Sequence, residues 1–114
     1  MLTVCKELIA LRAAREASIA KSLELWERDE RQDRGSCGSA CLKLKANTRL
    51  GRMAVAEGFA SGGNGADIYV NQNIAEGVRS QNADIYQDSM RAFRDVLVAH
   101  GFEKAIKKFW TYID

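Results

Sequence analysis

Apolar side chains recur at the three- and four-residue spacing of an α-helix along most of this chain. The last segment, with Phe102, Ile106, Phe109 and Ile113, has the cleanest helical period. Another predicted helix begins at Asp84, a good helix N-cap residue, and ends at Gly101. Large side chains line one face of this predicted helix: Tyr86, Met90, Phe93 and Leu97. The pattern is typical of an amphipathic helix with one face in the core.

The N-terminal segment predicts a long helix from Thr3 toward Arg34. Its apolar positions wrap around the helix, with alanines between them, which suits packing against more than one neighbour. These positions are Val4, Leu8, Leu11, Ile19, Leu23 and Trp26. Residues 27–34 carry no apolar side chain, so we expect a solvated extension supported by the ion pairs Glu27–Arg31 and Glu30–Arg34.

A second helix is predicted from Ser39 to Gly58, with apolar residues again at helical spacing. Segment 35–57 carries a charge of +3, because four basic residues stand against Glu57 alone. The basic residues define a predicted basic helix at 43–52: Lys43, Lys45, Arg49 and Arg52.

Residues 58–65 form a Gly-rich stretch, which predicts a flexible loop. After it, Asp67 is expected to cap a short helix that runs to about Ser80, with a short strand at 68–70 as the alternative. Aromatic and aliphatic residues in 102–113 predict a last helix. Together with the preceding helix it would bury a central group: Phe93, Leu97, Phe102, Ile106 and Phe109.

These elements predict an all-α fold, a compact bundle of four or five helices in a single domain spanning residues 1–114. The chain has no proline, so its helix breaks fall at glycines, and Ile68-Tyr69-Val70 is the one strand-like run. Because the apolar stripe of the first helix wraps around it, we expect that helix to pack against its copy in a homodimer.

Length and charge narrow the class of protein. A chain of 114 residues with a net charge of +2 fits one globular domain and dictates no strongly charged partner. The apolar runs are too short for a membrane span, and charges throughout the first 34 residues argue against a secretory signal. We therefore expect a cytoplasmic protein without membrane association.

Candidate chemistry is sparse. Cys5, Cys37, Cys41 and His100 are possible soft-metal ligands, but their spacing lacks the two close pairs of a structural zinc site. Cys37 lies in a glycine turn within a basic segment, which makes it the best candidate for a reactive thiol. The loop at 58–65 lacks the Gly-Lys-Ser/Thr ending of a phosphate-binding loop. The sequence thus predicts no catalytic residues, no metal and no cofactor.

The predicted partner-binding site combines the basic helix with the neighbouring loop: Lys43, Lys45, Arg49, Arg52, Ser61 and Asn64. From it we expect a small non-enzymatic intracellular binding protein, a regulator, inhibitor or assembly adaptor of the kind that phages and plasmids encode. Its predicted partner is another protein. The alternative is nonspecific nucleic-acid binding, with the basic helix at 43–52 lying along phosphates.

Overall fold

Helices and strands alternate along this chain, so the prediction of an all-α helical bundle is wrong. The computed structural model describes residues 5–32, 38–62, 65–69, 73–78 and 83–113. In chain order the elements are α1 (Lys6–Arg28), β1 (Gly38–Leu44), α2 (Arg49–Ala56), β2 (Ala66–Tyr69), α3 (Ala83–Ala99), a 3₁₀ turn (Glu103–Ala105) and β3 (Ile106–Ile113).

The three strands form one antiparallel sheet in the order β2-β1-β3. On β1, Leu42 lies opposite Ile68 of β2 and opposite Phe109 of β3. Directly paired residues place their side chains on the same side of a sheet. Leu42 and Ile68 are fully buried, and Phe109 packs against the same core, so this side of the sheet faces the helices.

The predicted basic helix at 43–52 is not one element. Its first residues belong to β1, where Ala40, Leu42 and Leu44 alternate with polar or smaller neighbours. This two-residue period buries one face of a strand, and pairing with β2 and β3 outweighs the helical spacing. Helix α2 begins only at Arg49, after Thr48 accepts a hydrogen bond from the Gly51 backbone N–H at 3.0 Å.

The predicted last helix is also wrong, since residues 106–113 form β3. Phe109, Trp110 and Thr111 favour extended backbone, and their side chains alternate between the two sides of the sheet. A β-bulge between Lys43 and Leu44 shifts the register, so that Leu44 lies opposite Ile106.

Residues 66–69 form strand β2 rather than the start of a helix, which supports the strand that the sequence left as the alternative. Along the edge of β2 that faces away from β1, Asp67 and Ser61 exchange two backbone hydrogen bonds, of 2.8 and 3.0 Å. Residues 73–78 are turns and bends, so the predicted helix does not continue there.

Helix α1 ends at Arg28, short of the predicted Arg34. Glu30 and Arg31 have positive φ angles of 58° and 57°, which turn the chain out of the helix. Arg31 still pairs with Glu27, at 2.5 Å, whereas Arg34 lies outside the described residues. Within the described part of the chain, no helix is long and apolar enough to cross a membrane.

The main core lies between α1, α3 and the inner side of the sheet. Helix α1 contributes Ala10, Leu11 and Ala14, all fully buried, to this core. Leu23, which the sequence placed in the apolar stripe of the helix, is instead 44% exposed. The predicted central group is confirmed in part: Phe93 and Leu97 are fully buried. Its other members are half-buried and pack against the core: Phe102, Ile106 and Phe109.

We expect Phe93→Ala to lower the free energy of unfolding by about 3–5 kcal/mol, because it removes a fully buried ring and leaves a cavity. Val98→Ala on the exposed side of α3 is the matched control and should change stability by less than about 0.5 kcal/mol. Urea unfolding followed by circular dichroism measures both. Equal midpoints for the two variants would contradict the core assigned here.

Candidate functional site

The predicted site residues lie on four different parts of the fold. Lys43 lies on β1, Lys45 in the connection to α2, and Arg49 and Arg52 on α2. Ser61 is exposed and holds β2 through its backbone. Asn64 lies outside the described residues. The prediction that the four basic residues lie on one helix is therefore wrong.

The connection between β1 and α2 is held by the backbone of Lys45. Its N–H donates to the Ala105 carbonyl at 2.8 Å, which ties it to the turn before β3. Its carbonyl accepts from the Thr48 hydroxyl at 2.7 Å, and that hydroxyl oxygen in turn accepts from the Gly51 N–H. These hydrogen bonds hold the Lys45 backbone in place and so fix the position from which its exposed side chain projects into solvent.

Gly51 is required by this arrangement. A Cβ atom at Gly51 would lie 2.2 Å from the Lys45 carbonyl oxygen, far inside van der Waals contact. The first turn of α2 therefore approaches the end of β1 more closely than any residue with a side chain permits. The close approach holds the arginines of α2 beside Lys45.

Arg49 and Arg52 differ in what they contact. Arg52 donates from Nη1 to the Asn47 carbonyl at 2.9 Å on the surface. Arg49 lies 3.7 Å from the carboxylate of Glu7, which is only 3% exposed. Because Glu7 is buried, removing its basic neighbour leaves a carboxylate with poorer compensation. Arg49 thus has a structural role as well as a surface charge.

Strand β3 adds two lysines that the sequence analysis did not assign to the site. Lys108 lies opposite Lys43 in the β1–β3 pairing, so their side chains share one side of the sheet. Lys107 lines a shallow cavity of about 360 Å³ together with Lys45 and Asn47. We call the resulting set the basic cluster: Lys43, Lys45, Arg49, Arg52, Lys107 and Lys108. One sequence pattern could have identified this strand, namely the alternate positions of Lys108, Trp110 and Tyr112. The prediction of a helix over 102–113 passed over that pattern.

The side of the sheet that faces away from the main core carries two rows of paired residues, which we call the outer face. One row runs across β2, β1 and β3 as Tyr69, Cys41 and Trp110. The other row runs as Asp67, Lys43 and Lys108. Tyr69 is 44% exposed and Trp110 is half-buried, so aromatic surface is accessible here.

Charges on the outer face are partly paired. The Lys43 ammonium lies 3.5 Å from the Asp67 carboxylate. Its methylene groups lie so close to Gly65 that a Cβ atom there would approach them to 3.2 Å. Lys108 holds its ammonium 5.1 Å from the centre of the Trp110 ring, a cation–π arrangement. Lys108 has no such carboxylate opposite it in the row.

Cys41 lies between the two aromatic residues and is 3% exposed. Burial raises the pKa of its thiol to about 11, the Asp67 carboxylate adds to the rise, and Lys43 opposes it. A thiol of this kind is protonated at neutral pH and is a poor nucleophile. Cys37, the predicted reactive thiol, lies outside the described residues.

The other candidate metal ligands are distributed over the fold. Cys5 precedes α1, and His100 is exposed at the end of α3. Among the described residues, no group of three or more His, Cys, Asp or Glu side chains is arranged to hold a metal ion.

Asn73 organises the end of β2 next to Tyr69. This fully buried side chain donates to the Tyr69 carbonyl at 2.8 Å and accepts from Arg15 Nε at 3.0 Å. The Asn73 carbonyl accepts from the Ser18 hydroxyl at 2.6 Å. Two residues of α1 thus hold Asn73, and through it the chain that follows Tyr69. Nothing in the local sequence pattern marked Asn73 for this role.

Comparison with protein-family models, with curated proteins and with solved structures finds no match to this chain.

We expect Gly51→Ala to lower the free energy of unfolding by about 1–3 kcal/mol, since the new methyl group must displace the Lys45 backbone. Gly62→Ala is the matched control, because its Cβ would meet Val55 at an ordinary 3.5 Å and its backbone is outside the left-handed region. The control should lie between no change and about 1 kcal/mol of added stability. Thermal unfolding compares them, and equal destabilisation would contradict the close approach.

We expect Cys41 to react with a small thiol reagent about 100-fold more slowly in the folded than in the unfolded protein at pH 8. A rise in pKa from 9.0 to about 11 lowers the thiolate fraction by that factor. The experiment uses Cys5→Ser with Cys37→Ser, so that Cys41 is the one remaining thiol. Labelling at the unfolded rate would show that Cys41 is not buried.

The same pKa shift has a consequence for stability. The pKa of the Cys41 thiol is higher in the folded protein than in the unfolded protein. The contribution of this thiol to the free energy of unfolding is therefore fully present below pH 9 and is lost as the pH rises toward 11. Between pH 9 and pH 11 the free energy of unfolding should fall more steeply for the wild type than for Cys41→Ser. The variant lacks the thiol but keeps every lysine, so it corrects for the titration of lysines over the same pH range. Parallel pH profiles would contradict the shift.

Proposed function

We propose that this protein is a non-enzymatic binding protein whose basic cluster holds nucleic acid. The observation that carries the proposal is the grouping of lysines from β1, its connection to α2, and β3 at one end of the sheet, with Arg52 of α2 bonded to Asn47 of the same cavity. Lys45 and Lys107 line the same cavity, and Lys43 lies opposite Lys108, although more than 60 residues separate the members of each pair.

The sequence alone favoured a protein partner, with nucleic acid as the alternative. The fold changes this balance for a physical reason. A single basic helix is common on solvated surfaces, whereas a cluster that also draws on β3 concentrates positive charge from three elements. Phosphate contacts by lysine and arginine supply most of the affinity in nonspecific nucleic-acid binding.

Neutralisation within the cluster is limited to two ion pairs among the described residues: Lys43 with Asp67, and Arg49 with Glu7. Lys45, Lys107 and Lys108 are exposed. These lysines are available for phosphate oxygens at little desolvation cost, since the contacts form at the surface.

The test measures the affinity of the whole protein for a 12-nucleotide single strand and a 12-base-pair duplex at several salt concentrations. The variant is Lys45→Glu with Arg52→Glu, which leaves the Arg49–Glu7 pair unchanged. For the single strand, each lost phosphate contact should reduce the slope of log affinity against log salt by about 0.7, and two contacts by about 1.4.

The matched control is Lys21→Glu on α1 with Arg31→Glu in the turn that follows α1, which makes the same change in net charge. Their partners Glu24 and Glu27 lie on the surface, so little stability is lost. Lys21 follows Glu7 by 14 residues, about 21 Å along the helix. The control should bind like the wild type. Equal loss in both variants would show that only net charge matters, and no binding to either probe would return the protein partner to first place.

A further inference from the structure

The outer face offers a second kind of contact beside the basic cluster. Tyr69 and Trp110 lie on opposite sides of Cys41, two strand spacings apart, which is roughly 10 Å between their Cα atoms. Lys43 and Lys108 occupy the adjacent row, two residues along their strands. Aromatic side chains and lysines thus occupy neighbouring rows on one side of the sheet.

From this juxtaposition we infer that the outer face binds single-stranded nucleic acid, with unpaired bases stacked on Tyr69 and Trp110 and phosphates held by Lys43 and Lys108. The inference rests on the proposed function and specifies its substrate class. Each element of the contact has a physical basis in the described residues.

Stacking requires accessible ring surface at fixed positions. The backbone carbonyl of Tyr69 is held by Asn73, and its side chain is 44% exposed. Trp110 lies in the middle of β3, opposite Cys41 of the central strand. Both residues are therefore anchored by backbone hydrogen bonds, so binding orders little additional protein, and stacking on such rings tolerates any base.

The charges beside the rings match a nucleic-acid strand. Lys108 already places its ammonium over Trp110. A base that stacks on this ring brings its own phosphate near Lys108, which exchanges a cation–π contact for a contact with an anion. Lys43 is shared with Asp67, which limits the positive charge on the β2 side. The phosphates should therefore run from Lys43 to Lys108, away from Asp67, and on to Lys107, which continues the charge toward Lys45.

A duplex does not fit the outer face. Its bases are stacked on one another, so their flat surfaces are closed to Tyr69 and Trp110, and its major groove admits a helix or a two-stranded ribbon rather than a three-stranded sheet. Antiparallel sheets that stack bases on exposed aromatic side chains take unpaired strands. Preference for a single strand is thus the diagnostic property.

The experiment uses the full chain carrying Trp26→Phe, which leaves Trp110 as the one tryptophan. Titration with a 12-nucleotide oligothymidylate should quench Trp110 fluorescence, and the corresponding duplex should bind at least tenfold more weakly. Trp110→Leu, made in the wild-type chain, should weaken single-strand binding by about 5- to 100-fold, as expected for one lost stacking contact.

Tyr69→Leu and Tyr69→Phe form the matched pair, because phenylalanine retains the ring and loses the hydroxyl. We expect Tyr69→Leu to weaken binding in the same range and Tyr69→Phe to bind within about twofold of the wild type. Neither Tyr69 variant should change the salt slope, whereas Lys45→Glu with Arg52→Glu should reduce it. Since Tyr69 is more exposed than Trp110, this pair still tests the inference if Trp110→Leu does not fold.

Different outcomes separate the two proposals. Salt-dependent binding that is equal for both probes, without quenching and without loss in Tyr69→Leu, would overturn the stacking inference and leave the basic cluster as a phosphate-binding surface. No binding to either probe would overturn both proposals.

Discussion

The antiparallel pairing of β1 with its two neighbours is the constraint on which the rest of the structure depends. It places Leu42 with Ile68 and Phe109 against the helices, and it places Cys41 between Tyr69 and Trp110 on the other side. A slip of one residue in either pairing would exchange the two sets. The same register therefore determines the main core, the buried thiol and the aromatic surface.

The small residues of α1 support this arrangement from the opposite side. Ala10 and Ala14 are fully buried, and Ser18 and Ser22 continue the buried stripe. Ser18 donates to the Asn73 carbonyl, and the Ser22 hydroxyl accepts from the Ala75 N–H at 2.8 Å. Hydrogen bonds to α1 thus satisfy backbone groups in a segment that has no helix or strand of its own, which a buried irregular segment requires.

Local periodicity identified the long helical segments and missed the sheet. Helices α1 and α3 have many residues with a consistent spacing, and both were predicted, although the end of α1 was placed too late. The sequence of strand β1 is shorter and fits two patterns. Leu42 and Leu44 have the two-residue spacing of a strand, whereas Leu42 and Leu50 have a spacing that also fits one face of a helix. The choice between them is made by pairing with β3, which lies more than 60 residues away in the chain.

The candidate site was predicted unevenly for the same reason. Lys43, Lys45, Arg49 and Arg52 are near one another in sequence, and a count of charges along the chain was enough to find them. Lys107 and Lys108 join them only through the sheet, and Tyr69 and Trp110 come together across β1. No pattern within one segment reveals a relationship that exists between strands.

The strand order leaves β2 and β3 at the two edges of the sheet, and the edges are protected differently. Ser61 occupies two backbone groups of Asp67 on the edge of the four-residue β2. Within the described residues the eight-residue β3 pairs with β1 alone, and an open edge of that length is a template for pairing with another chain. Lys107 and Lys108 place two like charges on that edge, where a second copy of β3 would have to approach. The lysines that we propose for phosphate contacts would thus also oppose edge-to-edge pairing of two β3 strands.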